Sequence, residues 1–330
     1  MNSIPPFGFR RDLPRWQHLV TPAWVAGLVA GTAIAAAPAG PWRLFEAGYG
    51  EADAFADGHI PGAGYLDTAS FEHGPLWNKV PDADLERVLL AHGIRHDVTV
   101  ILYGRNVLAA ARVAHLLLVA GVADVRLLDG GFGAWRRAGL PLEAGPARRA
   151  AATDAFGAPF PARPGWLFDT GQVRDLLARG HGTLASIRTW EEFIGATSGY
   201  SYINASGEIP GALWGRAGAD GDVNSMAAYQ HADGRMLPAS TIRAMWHEAG
   251  IHAGRLTVFY CGTGWRASLA FFYAWLMGWE RIGVYDGGWC EWSRDAGNPV
   301  VRREVGPALP AQIHIPPGSF NTCRAVRLSR

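Results

Sequence analysis

The stretch Leu256 to Ser268, LTVFYCGTGWRAS, runs from a β-branched and aromatic segment to Cys261, through a glycine-containing turn to Arg266, and into a helical pattern from Ala267. A cysteine between a strand end and a helix N-terminus meets converging backbone N–H groups, a nest that stabilises an anion. The chemistry to expect is nucleophilic, because sulfur attacks as its thiolate. The amides from Gly262 through Gly264 to Ala267 supply donors for a bound group and the following helix adds its dipole. Thr263 offers a hydroxyl and Trp265 an aromatic wall. Arg266 has two readings, facing the cavity as a substrate ligand or holding the loop in shape.

The elements that must position this loop occur twice. Ile60-Pro61-Gly62-Ala63 recurs as Ile209-Pro210-Gly211-Ala212, the strand reaching Gly104 as the strand reaching Cys261, and Asp129-Gly130-Gly131-Phe132 as Asp286-Gly287-Gly288-Trp289. Each copy ends on Gly-x-Pro, at Gly139 and Gly297. Short apolar strands (Val98 to Leu102, Val125 to Leu128, Leu256 to Tyr260, Arg281 to Tyr285) alternate with helical stretches (Ala109 to Val119, Ala267 to Met277). That alternation predicts an α/β fold of two units, each a mainly parallel sheet flanked by helices, with the site at the carboxyl ends of the strands. The predicted layout is a first unit over 1–145, an Ala-, Pro- and Gly-rich linker over 146–164, the catalytic unit over 165–300 and a tail over 301–330.

The differences between the copies carry the functional information. Gly104 stands where the second copy has Cys261, so the first unit lacks the nucleophile and is expected to cover the site and supply pocket wall. The second copy holds about eleven additional residues between Phe193 and Ile209, reading GATSGYSYINASG. Tyr200 and Tyr202 on this insertion read as a lid or substrate wall, against an ordinary surface loop. Asp286 recurs as Asp129 in the copy without cysteine and is therefore read as structural.

The 330 residues carry 30 Lys and Arg against 29 Asp and Glu, a net charge of +1, which offers no electrostatic footprint for nucleic acid or an anionic membrane. Cys261, Cys290 and Cys323 are too few and scattered for a disulfide framework, and no spacing calls for a metal. Cys290 reads as a buried thiol rather than a resolving partner. The Ala-rich stretch from Ala23 to Ala37 resembles an export signal. Leu19-Val20-Thr21 matches Phe168-Asp169-Thr170, however, which makes Thr21 and Thr170 N-caps and Ala23 to Ala30 the first helix of a folded unit. The expectation is a cytoplasmic protein, with export as the alternative, and no membrane span. The tail is read as packing over the first unit, or as touching a ligand or partner. Oligomeric state is not legible.

With these blocks in place, both units resemble rhodanese domains and the chain resembles a tandem rhodanese-type sulfurtransferase. The resemblance implies that Cys261 takes sulfane sulfur from a small donor such as thiosulfate or a polysulfide, holds it as a persulfide without any cofactor, and passes it to a small acceptor. Arg188, in SIRTWEEF, falls where the family has an Asp-x-Arg segment, although Ser186 replaces the aspartate. It is expected either to bind an anionic donor or to pair with Glu191 or Glu192.

Two competitors share the fold. Phosphatases of the cell-cycle type place one residue more between cysteine and arginine, and the shorter loop here favours sulfur. A non-enzymatic module would suit Gly104 but not Cys261. The combination SGYSYI, IPGA and CGTGWR is similar to rhodanese-type ergothioneine synthases, which sulfurate the imidazole carbon of hercynine. That similarity implies catalytic roles for Tyr202 and Thr263 beside Cys261, with Tyr200, Gly262, Gly264, Trp265, Arg266 and Arg188 binding substrate.

Overall fold

Two five-stranded sheets, one in each repeat, consist entirely of parallel strand pairs. The computed structural model describes residues 8–148 and 150–303. The first unit runs β1 (Leu19–Val20), α1 (Pro22–Val29), β2 (Trp42–Gly48), α2 (Ala52–Asp57) and β3 (Gly64–Asp67). A small antiparallel hairpin follows, β4 (Glu72–His73) and β5 (Asn78–Lys79). The unit closes with α3 (Asp82–Ala91), β6 (Thr99–Tyr103), α4 (Val107–Ala120), β7 (Asp124–Leu128) and α5 (Gly131–Arg137). The second unit comprises β8 (Leu167–Phe168), α6 (Thr170–Arg179), β9 (Gly182–Ser186), α7 (Trp190–Ile194) and β10 (Leu213–Trp214), then α8 (Ala239–Glu248), β11 (Leu256–Tyr260), α9 (Trp265–Leu276), β12 (Ile282–Tyr285) and α10 (Gly288–Trp292). The sheet orders are β1-β7-β6-β2-β3 and β10-β9-β11-β12-β8.

A parallel sheet covered on both faces needs strands that are apolar throughout, and β6 and β11 have that composition. The helices that leave them are also apolar nearly all round, with only Val107 of α4 and Trp265 of α9 not fully buried. The reason is that α4 packs against α9. Each helix covers its own sheet with one face and its sister helix with the other, leaving no face for solvent. This contact joins the two units and sets the first unit beside the Cys261 loop.

Helix α1 belongs to the first unit's core, with Thr21 as N-cap accepting from Trp24 N at 3.2 Å, Pro22 at N1 and Trp24 fully buried. In the second unit the cap is Asp169, not Thr170. Its carboxylate accepts from Gln172 N at 2.8 Å in a capping box, and Thr170 is already helical. The two copies therefore align one residue differently here than the Thr-to-Thr match implied. Helix α9 likewise begins at Trp265, two residues before the expected Ala267, because Gly264 at φ +102° ends the loop. The linker is strapped to the first unit: Phe156 is buried, His96 N donates to its carbonyl at 3.1 Å, and Ala162 N donates to Ala120 O at 3.0 Å. Among the described residues no helix is long and apolar enough to cross a membrane. Cys323 and tail residues 304–330 lie outside the described residues.

Candidate active site

Cys261 directly follows β11, the central strand of its sheet. Its Sγ accepts a hydrogen bond from Gly264 N at 3.2 Å, at the start of α9 where the helix dipole favours negative charge. The loop is held from behind by the repeated Asp-Gly-Gly turn, since Trp289 N donates to Cys261 O at 2.8 Å and Cys290 N to Gly262 O at 3.0 Å. Gly288 makes this approach possible. It sits at φ +52°, and a Cβ there would lie 2.6 Å from Cys261 O. The first unit keeps the same clamp, with Phe132 N donating to Gly104 O at 3.0 Å. What it lacks is space: a Cβ on Gly104 would lie 2.4 Å from Asn106 O and 2.9 Å from Ala47 O, so the loop has closed over the place of a side chain.

The insertion folds down onto the catalytic loop. Tyr200 lies against Gly262 so closely that a Cβ on the glycine would be 2.2 Å from its ring. The Tyr200 hydroxyl accepts from Arg266 Nη2 at 2.9 Å, and Arg266 donates to both oxygens of Glu192 at 2.8 Å each. Glu192 also accepts from Thr189 N at 2.9 Å, in the capping box of α7. Burial alone would raise its pKa and keep it protonated, but Arg266 and Arg188 hold the carboxyl below its ordinary value. Burial drives the Tyr200 phenol well above its ordinary range. Arg266 touches the cavity wall, and its hydrogen bonds fix the loop and insertion together.

Arg188 requires a correction. It is fully buried away from the cavity, donates to Gly207 O at 2.7 Å, and lies 3.4 Å from Glu208 and 3.6 Å from Glu192, with Trp289 beneath its guanidinium. Of its two readings the pairing one stands, with Glu192 rather than Glu191. Arg188 anchors the far end of the insertion and is not among the residues that line the cavity. Gly262 and Gly264 do not line the cavity either; the first is covered by Tyr200 and the second spends its N–H on Cys261.

A cavity of about 260 Å³ opens above this layer. Thr263, Trp265, Arg266, Tyr200 and Tyr202 line it from the second unit, and Tyr49, Glu72, Trp77 and Leu108 from the first. Cys261 is 1% exposed, close enough to both tyrosines for its charge to act on them. The Thr263 side chain interacts with the Tyr202 hydroxyl and favours its ionised form. Burial pushes the phenol up to about 12, against that effect.

The first unit reaches the loop through buried polar contacts. Trp265 Nε1 donates to Glu72, whose other oxygen accepts from Arg112 Nε at 2.7 Å. Arg112 also donates to Asp286 at 2.5 Å, and the second oxygen of Asp286 accepts from Lys79 N at 2.8 Å. Asp129 mirrors this, accepting from Met236 N at 2.8 Å. Asp286 thus sits on the seam between the units, its side chain spent on Arg112 and Lys79 N. Cys290 is buried, its thiol 3.8 Å from Pro75 O. Sequence reasoning missed Glu72, Trp77 and Tyr49, which carry no local signal in the copy without a nucleophile. Glu192 was named only as a partner for Arg188, although Thr189-x-x-Glu192 is a capping-box pattern.

The model of the rhodanese-like domain matches residues 39–138 and 169–295, one match in each unit. The chain belongs to the rhodanese family. It is 52% identical over 297 residues to thiosulfate sulfurtransferase YnjE of Escherichia coli, an alignment covering 90% of this chain and 68% of that protein. The crystal structure of YnjE superposes with a TM-score of 0.86 over 89% of this chain and 70% of that one. Structures of EanB, one a complex with ergothioneine and one with hercynine, match with TM-scores of 0.85 at 36% and 37% identity. They cover 89% of this chain and 72% and 71% of theirs. This tandem rhodanese is a sulfurtransferase.

Proposed function

We propose that Cys261 takes sulfane sulfur from a small donor such as thiosulfate or a polysulfide and transfers it to a small imidazole acceptor. In the first half-reaction the Cys261 thiolate attacks the sulfane sulfur. A Cys261 persulfide forms as the donor's S–S bond breaks, and sulfite or a shortened polysulfide leaves with the bonding pair. In the second, the terminal sulfur bonds to the ring carbon, the persulfide S–S bond breaks, and its electrons return to Cys261. The ring C–H becomes C–S and its proton is accepted at the site, so no external oxidant or reductant is needed.

The observation that carries the acceptor reading is the Tyr202–Thr263 hydroxyl pair on the cavity wall near Cys261. Tyr202 keeps its proton at neutral pH and lines the cavity with Thr263, so its hydroxyl is placed to hydrogen-bond an imidazole nitrogen and relay a proton there. Likeness to YnjE supports thiosulfate as donor, and likeness to EanB, solved with hercynine and ergothioneine, supports the imidazole acceptor.

The test is Tyr202→Phe. Persulfide loading of Cys261, read by intact mass after incubation with thiosulfate or polysulfide, should survive, while transfer to an imidazole acceptor should fall by about 10²-fold or more. Equal loss in both half-reactions would remove Tyr202 from the transfer step.

A further inference from the structure

Helix α4 of the first unit is apolar along its length except at Arg112 and His115, one turn apart and both fully buried. A guanidinium taken out of water is unfavourable unless its hydrogen bonds offset the loss of hydration. Arg112 reaches the Cys261 loop at three places, two of them through a carboxylate. Its Nε holds Glu72, whose other oxygen accepts from Trp265 Nε1. Its Nη2 holds Asp286, which opens the turn whose Trp289 and Cys290 N–H groups fasten Cys261 O and Gly262 O. Its Nη1 is buried with no hydrogen-bond partner among the described residues, and a Cβ on Gly264 would lie 3.2 Å from it. Gly264 is the residue whose N–H binds Cys261 Sγ, so a bare glycine lets the guanidinium lie directly against the sulfur-binding corner of the loop.

The sister seam shows what joining the units requires by itself. At the separation that relates Gly104 to Cys261 and Asp129 to Asp286, Arg112 corresponds to Leu269 and Gly264 to Val107. The main-chain part of the seam is the same on both sides, with Lys79 N donating to Asp286 and Met236 N to Asp129, each at 2.8 Å. The guanidinium and the glycine beneath it occur only on the side that has a nucleophile. Around Gly104 the seam closes with the buried, apolar Leu269 in the arginine's place.

We infer that Arg112 is a positioning residue for sulfur loading: from the first unit it holds Gly264, Trp265 and the Asp286 turn in the arrangement that presents Gly264 N–H to Cys261. It is not among the residues that line the cavity and acts through the loop rather than on the donor. The inference rests on Cys261 as the sulfur-accepting thiolate and is independent of the acceptor. It gives the unit without a nucleophile a part in forming the site of the other.

The experiment measures the rate of Cys261 persulfide loading by intact mass, from thiosulfate and separately from inorganic polysulfide, alongside urea unfolding. Arg112→Lys keeps the charge but loses the planar fork, and should load about tenfold more slowly from both donors. A triple variant, Arg112→Leu with Glu72→Gln and Asp286→Asn, leaves no buried charge unpaired, so its stability should approach that of the unsubstituted protein. Its loading should nevertheless stay slow by about tenfold or more. Loading that recovers together with stability in the triple variant, or that is unchanged in a folded Arg112→Lys protein, would overturn the positioning role. Loss confined to one donor would also overturn it, since the arginine would then be meeting that donor. Failure of both variants to fold would mark Arg112 as part of the fold alone. If the unsubstituted protein loads from neither donor, the donor half-reaction proposed above fails, and the role of Arg112 falls with it.

Discussion

Arg266 and Glu192 meet through two hydrogen bonds of 2.8 Å, both side chains buried, so that the helix leaving the Cys261 loop is tied to α7 at the root of the insertion. The planar guanidinium matches a carboxylate in this two-pronged arrangement and an ammonium does not.

Arg266→Ala leaves Glu192 buried with only Arg188 nearby and should cost about 3–5 kcal/mol. Arg266→Lys should fall between that variant and the unsubstituted protein. Urea unfolding measures both. A Arg266→Ala protein as stable as the original, but unable to load sulfur, would show that the arginine acts on substrate rather than on the loop.

Gly262→Ala places a methyl group 2.2 Å from the Tyr200 ring. The loop or the tyrosine must move, and persulfide loading should drop by an order of magnitude or more, in line with about 1–3 kcal/mol of overpacking. Combining it with Tyr200→Leu should recover part of the loss. A strictly additive double variant would mean that the two positions do not contact each other.

Gly104→Cys should not create a second active site. With carbonyl oxygens 2.4 and 2.9 Å from the new Cβ, the variant should be destabilised and should acquire no persulfide when Cys261 is replaced by Ser. Mass spectrometry after donor treatment reads this directly, and sulfur on residue 104 would contradict the steric argument.

Asp129 ionises at about 6 rather than near 3.8, because burial penalises its charge more than the Met236 N–H, Arg10 and Arg235 favour it. The folded protein therefore holds this proton more tightly than the unfolded chain. Its contribution to stability is fully present below about pH 4 and is lost as pH rises through about 6. Asp129→Asn keeps an acceptor for Met236 N and removes the titration. It should gain on the unsubstituted protein across that window by on the order of 1–3 kcal/mol, the lower end allowing for partial exposure. Parallel pH profiles of the two proteins would exclude the effect.

The two-unit α/β plan, the nucleophile and the empty sister loop are legible in the residues alone. Strand periodicity and turn composition are local, and an internal copy supplies the reference against which Gly104 and the tyrosine insertion stand out. The shared Asp-Gly-Gly blocks are read correctly as structural for the same reason. Arg188 is legible only as two alternatives, anion binding or pairing with Glu191 or Glu192, and it takes the fold to show Glu192, Gly207 O and Glu208 beside it. Glu72, Trp77 and Tyr49 are not legible, because they lie more than 180 residues before Cys261 and reach its cavity only because α4 packs on α9. Which residues have a place in the chemistry is encoded locally; which of them face one another depends on packing between units, and no pattern within either unit records that.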